Sequence, residues 1–239
     1  FNMPKKLIQI LLLLLVLACN KVENPLPTVY GDFNWELYPN DPTTYPYDIA
    51  NPSNNWTLNT NEKGILLEDY TGHKCTNCPA AATIATQLED DTALGVIVVS
   101  VHASTDGSFQ STDDVEFTVD YQTDAGDAYV QEMPGFIGNP MGTINRNDGG
   151  YSNTNWYFSS NWATGVNDEI SQGNLDANIQ LQYNYYPSTN GLFIHTETTF
   201  LNTLSGNYHL IVYLIRNDVV SPQKMNDGTI DHHYHHHAV

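Results

Sequence analysis

Apolar positions follow three different patterns along this chain. Residues 7–17 are an almost unbroken apolar run, Leu7-Ile8-Gln9-Ile10 and then Leu11 to Leu17 with one valine, Val16, and Lys5 and Lys6 stand in front of it. The run is too short to span a bilayer comfortably, and its positive front reads as a secretory signal peptide covering residues 1–18. Residues 19–62 show no sustained period. Asn24-Pro25-Leu26-Pro27 and Tyr38-Pro39-Asn40-Asp41-Pro42 are turn clusters. This stretch is expected to be a tether with a reach on the order of 35 Å, with a strand docked around Trp35 to Leu37.

Regular patterning begins at Gly64. Ile65 to Tyr70 reads as a strand and Thr71 to Lys74 as a loop. Pro79 suits the first turn of a helix, where its missing N–H is not needed. Ala81, Ile84, Ala85 and Leu88 then fall on one helical face. Gly95 ends the helix, and Val96 to Val101 is a β-branched run of the kind buried on both faces of a sheet. The unit is therefore strand, Cys-x-x-Cys, helix, strand, with a parallel pair and a right-handed crossover. Residues 103–120 are polar and loop-like, and Thr123 to Met133 carries a second helical pattern. Pro140 stands at the entry to a short strand, and Asp148-Gly149 is a turn. Trp162, Val166 and Ile170 predict a last helix within Trp156 to Ser171.

After Gly173 the period changes to two. Ile179, Leu181, Tyr183 and Tyr185 alternate with polar residues, Asn190-Gly191 turns into Leu192 to Thr196, and Gly206-Asn207 precedes the apolar run Tyr208 to Ile215. This is an antiparallel meander of about three strands, the pattern of a β-sandwich lacking its second sheet. The expected fold class is an α/β domain over residues 63–173 followed by a truncated all-β sandwich over residues 175–239. Phe1 precedes Met3, a natural start, and the chain stops at Val239, so a translated fragment of a longer gene is expected.

Charge narrows the function classes. The 239 residues hold 8 Lys and Arg against 27 Asp and Glu, a net charge of −19, which excludes a nucleic-acid partner because phosphate neutralisation needs clustered basic residues. A hydrophobic fraction of 41% with 11% aromatics excludes a disordered acidic tail. The three cysteines are an odd number. Val16-Leu17-Ala18-Cys19 resembles the bacterial lipobox, in which a diacylated Cys becomes the new N-terminus; Val16 stands where Leu is usual. The resemblance implies a membrane partner through lipidated Cys19. The alternative is a plain signal peptide with a chance cysteine. Cleavage before Cys19 leaves six basic residues against 27 acidic ones, or −21.

Cys75 and Cys78 remain. Two thiols with two residues between them, at a helix start after a strand, have a physical meaning. The unpaired N–H groups and positive dipole end of the helix favour thiolate at Cys75, and the spacing lets Cys78 attack a mixed disulfide formed there. His73 and Lys74 are expected to add positive charge nearby. On this reading Cys75 is the nucleophile and Cys78 the resolving thiol. The arrangement resembles thioredoxin-like proteins. That resemblance implies a cis bond before Pro140, with Pro140 packed beside the sulfurs to present substrate backbone and Cys75 partly exposed. Lys74 stands where thioredoxins commonly carry Trp, so general disulfide reduction is not implied.

A wider resemblance rests on Leu67 to Pro79 (LEDYTGHKCTNCP), on Tyr121 to Tyr129 (YQTDAGDAY), on Asn139 to Arg146 (NPMGTINR) and on Asp231 to Val239 (DHHYHHHAV). These segments resemble the outer membrane protein 28 family of lipoproteins over roughly residues 64–239. The family implies a thioredoxin-like domain followed by a β-sandwich on an outer-membrane lipoprotein, without a settled activity. The expected function is thiol–disulfide exchange on envelope proteins, with no cofactor. The alternative is a non-enzymatic surface-binding lipoprotein whose Cys pair is a structural disulfide and whose Pro140 is an ordinary trans-Pro. A zinc site lacks the second Cys pair that four ligands need.

Other features are weaker. His233, His235 and His237 would share a strand face and offer metal ligands, against the blander readings of a polar strand face or an expression tag. Asp113-Asp114 and Asn145 to Gly149 lack the spacing of a calcium loop. Trp35, Trp56 and Trp156 read as packing residues before sugar platforms, and no nucleophile elbow supports a serine hydrolase.

Overall fold

The computed structural model describes residues 35–39, 63–113 and 115–238. The expected signal segment, Cys19, Trp56 and most of the expected tether lie outside the described residues. Strand β1 (Ile65–Thr71) is followed by helix α1 (Cys78–Asp90) and strand β2 (Val96–His102). β1 and β2 pair in parallel from Ile65 opposite Val96 to Thr71 opposite His102. Helix α2 (Asp124–Glu132) leads to β3 (Met141–Ile144) and β4 (Trp156–Phe158), and helix α3 (Trp162–Gln172) follows. The sheet order is β2-β1-β3-β4, with β3 antiparallel to both β1 and β4.

The alternation of β1 explains the layers. Ile65 and Leu67 point to one face, where they meet Ala81, Ala85 and Leu88 of α1 and Trp162 and Val166 of α3. Tyr70 points to the other, where it meets Val99, Val101, Met141, Trp156 and Val130 of α2. Each strand residue covered on both faces removes apolar area worth roughly 25 cal/mol per Å² from water. Thr123 caps α2 by accepting the Gly126 N–H at 3.1 Å, which satisfies one donor the helix start leaves over. α3 ends on Gly173 in the left-handed region. The buried stripe of α3 is Trp162, Gly165, Val166 and Glu169. Ile170 is 40% exposed, so the expected 162-166-170 face is rotated: Trp162 packs over Gly142, where a Cβ would come within 2.8 Å of the indole. The first residues of the expected helix instead form β4.

A buried ion pair ties the sheet to the chain that follows. The Glu68 carboxylate, fully buried, accepts from Arg146 at 2.6 and 2.7 Å, from Thr143 at 2.6 Å and from the Tyr213 hydroxyl. Burial raises the pKa of Glu68, but the Arg146 guanidinium and the hydroxyls outweigh it and hold the carboxyl below its usual range. Arg146 also lies 3.9 Å from the centre of the Tyr129 ring.

Beyond α3 the chain forms antiparallel hairpins. β5 (Ala177–Tyr186) pairs with β6 (Gly191–Phe200), and β7 (Arg216–Lys224) pairs with β8 (Ile230–Ala238). The two are separate two-stranded sheets. Tyr208 to Ile215, expected as a strand, has no regular structure. A β-branched run prefers a pleated surface only when a neighbouring edge accepts it. Here Tyr213 and Ile215 pack on the α2 side of the core instead, while Leu210, Val212 and Leu214 remain exposed. The final hairpin starts at Arg216, in a polar stretch. Trp35–Leu37, expected as a docked strand, is one 3₁₀ turn. It does dock: Thr189 donates to the Leu37 carbonyl, and the Tyr38 ring meets Tyr186 edge-on at 5.5 Å. Among the described residues no helix is long and apolar enough to cross a membrane.

Candidate redox site

Cys75 and Cys78 are joined in a disulfide. The loop that carries them leaves the C-terminal end of β1. It folds back on itself through Cys75 N–H to Gly72 O at 3.0 Å and Cys78 N–H to Cys75 O at 3.3 Å. The segment Phe109-Gln110 lies so close that a Cβ on Gly72 would come within 2.7 Å of the Phe109 carbonyl. Cys78 opens α1 and Pro79 follows at its start.

The Asn139–Pro140 bond is cis. Tyr70 pairs with Met141, so the register sets Pro140 beside Thr71, at the sheet end from which the cysteine loop departs. Gln110 links these pieces. Its amide donates to Thr71 O at 2.6 Å and to Asn139 Oδ1 at 3.2 Å, while Asn139 donates to Ala103 O at 3.0 Å.

The surroundings of the sulfurs differ from expectation in two ways. Cys75 is only 2% exposed, as is Cys78, so the expected partial exposure of Cys75 is not found. The β7–β8 hairpin lies against this loop: the Gln223 amide donates to Cys75 O at 3.1 Å, and Lys224 N–H donates to His73 O at 2.8 Å. Nor do His73 and Lys74 aim positive charge at the pair. His73 is 1% exposed, sits on the Phe117 ring and holds Ser111 O at 3.0 Å through Nε2. Burial, first among the causes, lowers its pKa and keeps it neutral. Lys74 reaches Ser111 Oγ at 3.1 Å and Asp113 at 3.3 Å. Favourable field at the sulfurs is left to the start of α1.

The sequence reading missed Asp69. It is 1% exposed, its Oδ1 has no hydrogen-bond partner, and burial pushes its carboxyl up to about 7. Asp69 and Cys78 line one cavity of about 270 Å³, together with Ser100, His102, Gln223 and His236. His102 is 3% exposed and neither ring nitrogen has a partner; burial, with His236 and His73 nearby, lowers it to about 3. The strand period offered a signal for Asp69: it shares the face of Ile65 and Leu67, an acid in line with two core residues.

The remaining candidates are not brought to this site as ligands. His232 lies 3.5 Å from Glu116, and His235 lies 3.0 Å from Asp218. His236 is buried against Tyr121, rings 5.0 Å apart, and the side chain of His237 lies outside the described residues. Among the described residues no group of three His, Cys, Asp or Glu is arranged to hold a metal ion. Asp113 Oδ1 accepts three backbone N–H groups, from Val115, Glu116 and Phe117, which is turn capping. Trp156 is fully buried and donates to Met133 O.

No family model matches the chain, and no curated protein matches it. Among solved structures it is similar to the crystal structure of a structural-genomics protein from Agrobacterium tumefaciens. The identity is 12% and the TM-score 0.36, over 53% of this chain and 54% of that one. The chain spans about half the length of the structure it matches.

Proposed function

We propose that this protein is an envelope lipoprotein whose thioredoxin-like domain performs thiol–disulfide exchange on other proteins. The observation that carries the reading is the Cys75–Cys78 disulfide at the start of α1, whose Cys78 lines one pocket with the buried carboxyl of Asp69, Oδ1 of which has no hydrogen-bond partner. The strand order β2-β1-β3-β4 and the cis bond before Pro140 at the same sheet end support it. So do the antiparallel hairpins that follow α3. Anchoring through Cys19 rests on Val16-Leu17-Ala18-Cys19 alone, and likeness to the outer membrane protein 28 family rests on the four segments named above.

The chemistry balances as a two-electron exchange. A substrate thiolate attacks Sγ of Cys75, and the Sγ–Sγ bond breaks with its electron pair on Cys78. The neutral carboxyl of Asp69 gives that sulfur a proton. A second substrate thiol then displaces Cys75 from the mixed disulfide, leaving a substrate disulfide and two protein thiols. Pro140 presents the substrate's backbone. The reverse direction uses the same steps backwards.

The test is trapping. Cys78→Ser leaves Cys75 without its resolving partner and should accumulate mixed disulfides with envelope proteins, released by reductant. A pair that stays oxidised in strong reductant, together with a Cys78→Ser protein that traps no partner, would sink the proposal. The 2% exposure of both cysteines favours one rival, a purely structural disulfide in a surface-binding lipoprotein. That rival expects this null result.

A further inference from the structure

One element, the β7–β8 hairpin, lies over the cysteine loop beside the Phe109-Gln110 segment, and apart from the His236 ring against Tyr121 its contacts there are hydrogen bonds. From β7 and its turn, Gln223 donates to Cys75 O at 3.1 Å and Gly72 O at 3.5 Å, Lys224 N–H donates to His73 O at 2.8 Å, and Asn226 donates to Asn77 Oδ1 at 3.2 Å. Tyr121 and Ser221 share a hydrogen bond of 2.6 Å behind them. The side chains the hairpin buries are Ser221, Gln223 and His236, whereas Val220 is 50% exposed. Between the hairpin and α1 lies the 270 Å³ pocket, open to solvent past Thr83, Thr86 and His235. Segments with few buried apolar contacts open at a fraction of the global unfolding free energy. The α/β layers beneath, with Ile65, Leu67 and Trp162 fully buried, do not.

We propose that the β7–β8 hairpin is a gate over the Cys75–Cys78 disulfide, so that exchange requires the hairpin to lift while the α/β domain stays folded. The inference rests on the exchange reading above and adds its regulation. Lifting frees the His73 carbonyl and one acceptor position each on the carbonyls of Gly72 and Cys75, which keep their turn bonds from Cys75 N–H and Cys78 N–H. An extended cysteine-bearing segment of a partner can then take the place of Gln223 and Lys224.

The test uses the full chain, oxidised, with dithiothreitol as probe. One dithiothreitol thiolate attacks the pair and Cys78 leaves as thiolate; the second thiol then closes the cyclic disulfide and releases Cys75. Alkylation and mass measurement count the freed thiols over time. Gln223→Ala removes two hydrogen bonds of the seal and Ser221→Ala one, and each should speed reduction about five- to tenfold. In the unaltered protein the logarithm of the reduction rate should rise with urea far less steeply than global unfolding, because little surface is exposed. Rates unchanged in both variants, or a urea slope equal to that of global unfolding, overturn the gate. Either result leaves the exchange reading intact, since that stands or falls on Cys78→Ser trapping.

Discussion

In β1 the two-residue period sends Ile65 and Leu67 beneath α1 and α3 and sends Tyr70 toward α2, all fully buried. In β5 the same period sends Ile179, Leu181, Tyr183 and Tyr185 outward, between 49% and 66% exposed. Both strands are well paired, β5 over ten residues with β6. The pleat decides which side chains share a face; a second layer decides whether that face leaves water. The α/β region supplies its own layers from three helices. The open face of β5 has no such layer among the described residues. The C-terminal part holds to the rest through polar anchors, Arg146 with Glu68 and Tyr213 before β7 and Gln223 with the cysteine loop, and through a few rings, Tyr38 against Tyr186 and Phe193 and Tyr121 against His236.

That contrast can be broken or sharpened at defined positions. The largest effect is expected in acid. Burial holds His102 near 3 in the folded state against 6.5 for a free ring. The neutral ring's contribution is therefore complete above pH 6.5 and is lost as pH falls toward 3, about 5 kcal/mol in all. Urea titrations from pH 7 to 4 should show His102→Phe losing much less stability than the parent chain.

Next is Asp69, whose shift has the opposite sense. Its folded pKa is near 7 against 3.8 unfolded, so its burial costs nothing below pH 3.8 and about 4 kcal/mol once pH has risen past 7. Asp69→Asn should stabilise the protein by about that much at pH 8 and leave it unchanged at pH 3.5. Equal stability of the two chains at pH 8 would mean Asp69 is not desolvated. Arg146→Met strands the Glu68 carboxylate in the core and removes one of the two hydrogen bonds that hold Tyr213. It is expected to cost about 3 kcal/mol, measured by urea unfolding at pH 7, and to increase hydrogen exchange in residues 208–215. Smallest is Leu181→Ala on the open face of β5, within about 0.5 kcal/mol. A loss of 2 kcal/mol there would show that something covers that face in solution, and the comparison between the two regions would fail.

How far the sequence foretold this molecule follows the same division. The β1–α1–β2 unit was legible because most of its periods agree with burial: Val96, Val99 and Val101 are buried and Ala81, Ala85 and Leu88 face the sheet, whereas Ile97, expected to be covered on both faces of the sheet, is 56% exposed. The cysteines, their position at a helix start and the strand after Pro140 followed from local signals. Tyr208 to Ile215 misled for a physical reason. Its composition suits a strand, but strand formation is settled by a partner edge that lies elsewhere in the chain. Polar β7, with Pro222 inside it, carries no hydropathy signal and forms because β8 pairs with it. The hairpin contacts to the cysteine loop come from residues about 150 positions downstream, beyond the reach of any local period, whereas Asp69 was missed although its place on the face of Ile65 and Leu67 was a local signal.

The anchoring of Tyr213 bears on how the hairpin behaves once it lifts. Its hydroxyl is held by Glu68 and Arg146, and β7 begins at Arg216, so only Leu214 and Ile215 separate a fixed post from the moving strand. A hairpin on so short a leash pivots in place. Its effective concentration at the cysteine loop stays in the range of roughly millimolar or above. Any incoming segment therefore competes against an intramolecular rival that never diffuses away, and only a partner that gains more than backbone hydrogen bonds, such as one that goes on to form the mixed disulfide, holds the position long enough to react.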